Sequence, residues 1–140
     1  MELKIEKISE KYLREAHKIY NYYIVNSYSN FEEKKVTFSQ FHNNYNNIIK
    51  NKFPYLIALS EKKVVGLAYL NRFREKSGYR FAFENTIYIH DKYTGQGIGY
   101  ELLKELLYHS QSFVDPTWYL LCPYLLHLIS YQSSSSFSRF

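Results

Sequence analysis

Two features between Glu84 and Gly99 combine residue types and spacing that could do chemistry. The first is Gly95-Gln96-Gly97-Ile98-Gly99, in which three side chains are missing. A ligand can approach such a backbone closely, and the chain can take φ/ψ values that a Cβ would forbid. If a helix begins here, its orphan N–H groups and the positive end of its macrodipole favour a phosphate. The second is Glu84, a carboxylate inside the apolar and β-branched run from Tyr79 to His90. Burial there would raise its pKa toward the range useful to a general base. Read from the residues alone, the plainer role is a structural carboxylate bonded to a neighbouring loop.

Several glycine loops bind phosphates, and spacing separates them. A Walker loop requires GxxxxGK[ST], a string the chain does not contain. A dinucleotide fingerprint requires GxGxxG, but counted from Gly95 the third glycine position is Tyr100, and the loop comes late instead of in a first βαβ unit.

The elements that must position these residues can be read in order. Leu3-Lys4-Ile5-Glu6 alternates as a short strand. Ser9 can cap a helix in which Tyr12, Leu13, Ala16, Ile19, Tyr20 and Tyr23 fall at helical spacing; His17 lies off that stripe and is expected to face solvent. Thr37-Phe38-Ser39-Gln40 has the form of a capping box, with Phe38, Phe41, Tyr45, Ile48 and Ile49 as the apolar face behind it. Tyr55–Ser60 and Val64–Leu70 form a hairpin across Glu61-Lys62-Lys63, and Gly66 within the second strand suggests a bulge or a close backbone approach. In the run Tyr79–His90, Phe81, Phe83, Asn85, Ile87 and Ile89 share one face and Ala82, Glu84, Thr86 and Tyr88 the other. Apolar character on both faces predicts a central strand covered on both sides. After the glycine turn, Ile98, Leu102, Leu103, Leu106 and Leu107 define a helix face as far as Ser110.

Composition bounds the rest. The 140 residues make one globular domain, 46% hydrophobic and 19% aromatic, with 16 Tyr and 10 Phe. A single Cys122 excludes an internal disulfide framework, and Glu2, Lys4, Glu6 and Lys7 interrupt any apolar leader, so a cytoplasmic location is expected. The net charge of +5 comes from scattered Lys and Arg with no basic stripe, which speaks against a nucleic-acid partner and for a mild preference for anionic ligands. No run is long enough for a membrane span, the apolar stretch Trp118–Ile129 being broken by Pro123.

The segment Thr94–Gly99 resembles the pyrophosphate loop of the GNAT N-acetyltransferases, [QR]xxGx[GA], with Gly97 and Gly99 in place and Thr94 where Gln or Arg is usual. The order strand, two helices, hairpin, long strand, glycine turn, helix is similar to that fold over residues 1–111. Within it the chain looks most like the phosphinothricin acetyltransferase group, on Ser29-Asn30-Phe31, Phe53-Pro54-Tyr55-Leu56, Val65-Gly66-Leu67-Ala68-Tyr69, and Tyr79 followed by Glu84-Asn85-Thr86-Ile87-Tyr88-Ile89. The resemblance implies an α/β (α+β) fold with a central, mixed but mostly antiparallel sheet flanked by helices on both faces and a divergent or incomplete C-terminal part.

It also implies acetyl-CoA as cofactor and the primary amine of a small amino-acid-like molecule as acceptor, without metal. Glu84 would be the base; backbone groups of Ile87, Tyr88 and Ile89 would hold the thioester carbonyl and pantetheine arm; Thr94, Gly95, Gln96, Gly97, Ile98 and Gly99 would hold the pyrophosphate. Phe31, Lys76 and Tyr79 match acceptor-pocket positions, Lys76 replacing a common Arg, so a point charge stands for a bidentate fork. Relatives are often homodimers.

The segment 112–140 departs from the family pattern. Of 18 Lys and Arg and 13 Asp and Glu, only Asp115 and Arg139 follow Ser110. The strand, cofactor-contacting turn and Tyr-bearing helix that the resemblance implies beyond this point are not recognisable, and none of Tyr119, Tyr124 and Tyr131 can be assigned as thiolate acid. An altered reading frame near Ser110 would account for this, and the alternative function is then an impaired acetyl-CoA-binding domain.

Overall fold

The computed structural model describes residues 2–27, 32–72, 76–79 and 83–113. The elements are β1 (Leu3–Lys7), α1 (Leu13–Asn26), α2 (Phe38–Lys50), β2 (Tyr55–Ser60), β3 (Lys63–Arg72), β4 (Phe83–Ile89) and α3 (Ile98–Ser110). The strands form one sheet in the order β1-β2-β3-β4, every pair antiparallel. Among the described residues there is no parallel pair.

Local chemistry starts the helices much as the residues dictate. At the start of α2 the Thr37 side chain accepts from Gln40 N while Gln40 Oε1 accepts from Thr37 N at 2.8 Å, a complete capping box. Ser9 instead precedes a 3-10 turn, Glu10–Tyr12, with no side-chain cap bond, and α1 proper starts at Leu13. His17 is half-buried rather than facing solvent: its Nε2 lies 2.8 Å from Val36 O and its ring packs on Phe38 and Phe41. Beside it, Asn21 Nδ2 donates to Val36 O and Val36 N donates to Asn21 Oδ1, so α1 holds the chain just before α2.

The core has two layers about the sheet. On one face, Tyr20 and Tyr23 of α1 pack on Tyr88, and Tyr45 of α2 packs on Tyr55, which pairs across the hairpin with Tyr69. On the other, Ile98, Leu102 and Leu106 of α3 are fully buried over the sheet. Each such side chain contributes about 1.5–3 kcal/mol of burial. Phe53 bridges Phe83 and Phe113 in edge-to-face contacts at the end of this layer.

The hairpin realises both expectations for Gly66. The register shifts between Ala58 and Leu59, which pair with Gly66 and Val64, leaving Val65 as the extra residue of a bulge. A Cβ on Gly66 would stand 2.9 Å from Ile89 Cδ1 and 3.0 Å from Leu102 Cδ1, so the glycine lets β4 and α3 close together. Val65 O accepts from His90 N at 2.8 Å, tying the bulge to the end of β4.

Candidate active site

The glycine turn is built from β4 outward. Ile89 is buried and its carbonyl accepts from the Tyr23 hydroxyl, which anchors the strand end to α1. The chain then makes a 3-10 turn, Asp91–Tyr93, closed by Thr94 Oγ1 donating to Asp91 O at 2.9 Å. Thr94 thus uses its hydroxyl inside the turn. Gly95 and Gly97 adopt φ of 75° and 80°, the left-handed region that glycine enters without strain, and Gly97 is the N-cap of α3. Residues Thr94 to Gly97 are exposed, whereas Ile98 and Gly99 are buried against the sheet. The first-turn N–H groups of α3 have no intrahelical acceptor and open beside exposed, side-chain-free backbone, an arrangement suited to a phosphate. Glu101, also in the first turn, is neutralised by Lys104, whose Nζ donates to Glu101 Oε2 at 2.5 Å.

Glu84 is placed differently from the expectation. β4 pairs with β3 only and is the last strand of the sheet among the described residues, not a central one. Glu84 and its neighbour Asn85 are exposed, so the burial expected to tune the carboxylate is absent here. The cause is position: β4 is covered near Ile87–Ile89, where α1 and α3 pack on it, and at Phe83, which packs on Phe53, whereas Glu84 and Asn85 between them are left open.

Alternation along β4 puts Glu84, Thr86 and Tyr88 on the α1 side. Opposite them in β3 stand Asn71, Tyr69 and Leu67. The Tyr69 phenol shares a side-chain hydrogen bond with Thr86, and its pKa is raised, chiefly by burial, with the negative charge of Glu84 adding to the effect. Tyr69 and Tyr88 therefore line the same side of the strand as the candidate base. Sequence reading missed Tyr23, Tyr69 and Tyr88 as side-chain participants. Their helical and strand spacings mark them as core, and only the fold brings their hydroxyls and rings to the end of β4.

The remaining candidates are scattered. Lys76 is exposed just before Ser77–Tyr79, which is a 3-10 turn and not the start of the strand expected from Tyr79, β4 running from Phe83 to Ile89. For Tyr79 only the backbone is described, and Phe31 lies outside the described residues, as does the segment 114–140. The structure thus brings together β4, the glycine turn and the N-terminus of α3, and leaves the acceptor positions unassembled among the described residues. Among the described residues no helix is long and apolar enough to cross a membrane.

A bulged hairpin, a β4 that ends in a left-handed glycine turn, and a helix opening on that turn together frame the candidate site. The chain belongs to the acetyltransferase (GNAT) family, whose pattern matches residues 12–115. It is 32% identical over 89 residues to the phosphinothricin N-acetyltransferase of Alcaligenes faecalis, a match covering 64% of this chain and 45% of that protein. The chain thus spans about half the length of the curated relatives it matches. Among solved structures, a phosphinothricin acetyltransferase of Sinorhizobium meliloti in complex with acetyl-CoA is 33% identical, with a TM-score of 0.73 over 76% of this chain and 58% of that one. A ribosomal-protein-alanine N-acetyltransferase of Brucella melitensis is 31% identical, with a TM-score of 0.76 over 79% of this chain and 69% of that one.

Proposed function

We propose that the chain is an acetyl-CoA-dependent N-acetyltransferase that acetylates the primary amine of a small amino-acid-like molecule of the phosphinothricin or methionine-sulfone type. The observation that carries this reading is the exposed turn Thr94–Gly97, with left-handed Gly95 and Gly97 opening onto the N-terminus of α3 at the end of a strand that also bears Glu84. The acetyl-CoA complex of a relative 33% identical supports the cofactor.

The residues present fit that cofactor. Gly95 to Gly99 offer backbone donors to a pyrophosphate, and the end of β4 at Ile87, Tyr88 and Ile89 offers main-chain groups to an amide-bearing arm and to a thioester carbonyl. Acetyl-CoA supplies the activated acyl group. Acetylation forms a bond from the amine nitrogen to the acyl carbon and breaks the carbon–sulfur bond. The amine must lose a proton and the sulfur must gain one. Glu84 takes the amine proton, directly or through a water, from its place on the α1 side of β4. Phe31, Lys76 and Tyr79 shape the acceptor side, Lys76 as a single positive charge for the substrate's anionic group.

Calorimetry with CoA tests the cofactor reading, and a thiol-release assay across a panel of amino acids tests turnover. Glu84→Gln is expected to lower kcat by about 10²–10⁴-fold at neutral pH while leaving CoA affinity within about twofold. Full turnover in that variant would remove Glu84 from the mechanism. The exposure of Glu84 favours a second reading, a cofactor-binding domain without turnover. CoA binding with no thiol release for any amine would select it.

A further inference from the structure

A cleft of about 480 Å³ lies where α1 meets the start of β3 and the Asp91–Tyr93 turn. Neither Glu84 nor any residue of Gly95–Gly99 lines it. Ile19 and Val64 are its buried apolar floor, and Tyr22 and Tyr93 add aromatic wall. Three lysines line it from three separate stretches of chain: Lys18 on α1, Lys63 at the start of β3 and Lys92 in the turn.

Two carboxylates also reach the cleft, and both are engaged. Glu15 Oε2 accepts from Val64 N at 3.0 Å, fastening the hairpin to α1, and Asp91 Oδ1 lies 2.8 Å from His90 Nδ1. None of the three lysines is ion-paired with a carboxylate among the described residues. A bond to the neutral Val64 N–H leaves the Glu15 charge in place, so three lysines share the lining with two carboxylates, and the excess of positive charge favours an anion. The volume is that of a small-molecule site, within the roughly 300–1,000 Å³ such sites occupy. Ammonium groups suit the near-spherical charge of a phosphate better than the planar fork of a carboxylate.

We propose that this cleft binds a compact phosphorylated small molecule, its phosphate held by Lys18, Lys63 and Lys92 and the remainder resting on Tyr22 and Tyr93. The site is separate from the acetyl-transfer reading and does not depend on it.

Inorganic pyrophosphate is the probe, titrated by calorimetry into the full chain saturated with CoA, so that the glycine turn is already occupied. Saturable binding near one equivalent is expected. It should weaken with added KCl and fall roughly tenfold or more in the triple variant Lys18→Gln, Lys63→Gln, Lys92→Gln, whose melting temperature and CoA affinity stay as in the parent. Absence of binding in the CoA-saturated parent overturns the proposal. So does displacement of pyrophosphate by CoA, or equal affinity in the triple variant. A chain that takes up no CoA would sink the acetyl-transfer reading instead, and the lysine comparison would still decide the cleft.

Discussion

Gly97 and Gly99 stand two positions apart in the same turn, yet glycine is needed there for different reasons. Gly97 has φ 80°, and a Cβ added to it would meet nothing within 4 Å. The penalty of Gly97→Ala is therefore purely one of backbone conformation, about 1–2 kcal/mol. If the loop relaxes to avoid it, the backbone donors proposed for a pyrophosphate move too. The variant should melt lower and bind CoA more weakly, both readable by thermal denaturation and calorimetry. Gly99 is already helical and a Cβ would lie 3.8 Å from Ile89 Cγ1, an ordinary contact. Gly99→Ala should be neutral or stabilising by up to about 1 kcal/mol, because alanine is the better helix former. Equal melting temperatures for the two variants would refute the distinction. The sequence marked both glycines, but the sign of φ is a property of the closed turn and was not legible in the spacing.

At the scale of elements, the parts that depend on neighbours in sequence were the ones that could be read from it. The capping box at Thr37 and Gln40 closes over three residues and is present as expected. The hairpin and its glycine were legible for the same reason, since a short polar turn pins two strands together. Gly66 also carries a testable consequence. A Cβ there would press Ile89 Cδ1 at 2.9 Å, Leu102 Cδ1 at 3.0 Å and Tyr88 O at 3.3 Å. The two methyl groups can yield, but the carbonyl belongs to the strand. Gly66→Ala should therefore destabilise by about 1–2 kcal/mol and displace the end of β4 where the acyl carbonyl would bind. Equilibrium unfolding gives the first effect. A raised KM for acetyl-CoA, absent from a control such as Val25→Ala on the exposed side of α1, gives the second.

For the molecule as a whole, the high tyrosine content has a thermodynamic signature. Tyr55 and Tyr69 are buried against one another between the sheet and α2, and burial holds both phenols above their ordinary 10.0. As pH rises through that value the unfolded chain loses these protons first, so it binds fewer protons than the fold and stability declines. The contribution is complete below pH 10.0 and is lost above it. Denaturant titrations should show a falling unfolding free energy above that pH, by up to about 1.4 kcal/mol per pH unit for each phenol, with a shallower fall in Tyr69→Phe. An identical slope in that variant would exclude Tyr69 as a contributor. Tyr55 adds a contrast, because its hydroxyl has no hydrogen-bond partner among the described residues. Replacing it with Phe removes a buried, unpaired polar group and should be neutral or stabilising by about 1 kcal/mol.

The residues alone indicated what short-range rules can indicate: most of the helices and strands (though not that Tyr79 stands in a 3-10 turn and β4 runs only from Phe83 to Ile89), that a glycine turn opens a helix beside a strand, and that neither a Walker nor a dinucleotide loop is present. Burial was the point at which this reasoning failed. Glu84 was expected inside a covered strand because apolar residues alternate on both faces of its run, but alternation reports the character of neighbours and not whether another element lies over them. Only the tertiary structure decided that β4 pairs on one side among the described residues and leaves Glu84 exposed, while Ile89, five residues on, is enclosed by α1 and α3. The same holds for the cleft at Lys18, Lys63 and Lys92. Its three charges are far apart in the chain, and no periodicity or motif links them until the hairpin, α1 and the turn after β4 are folded against one another.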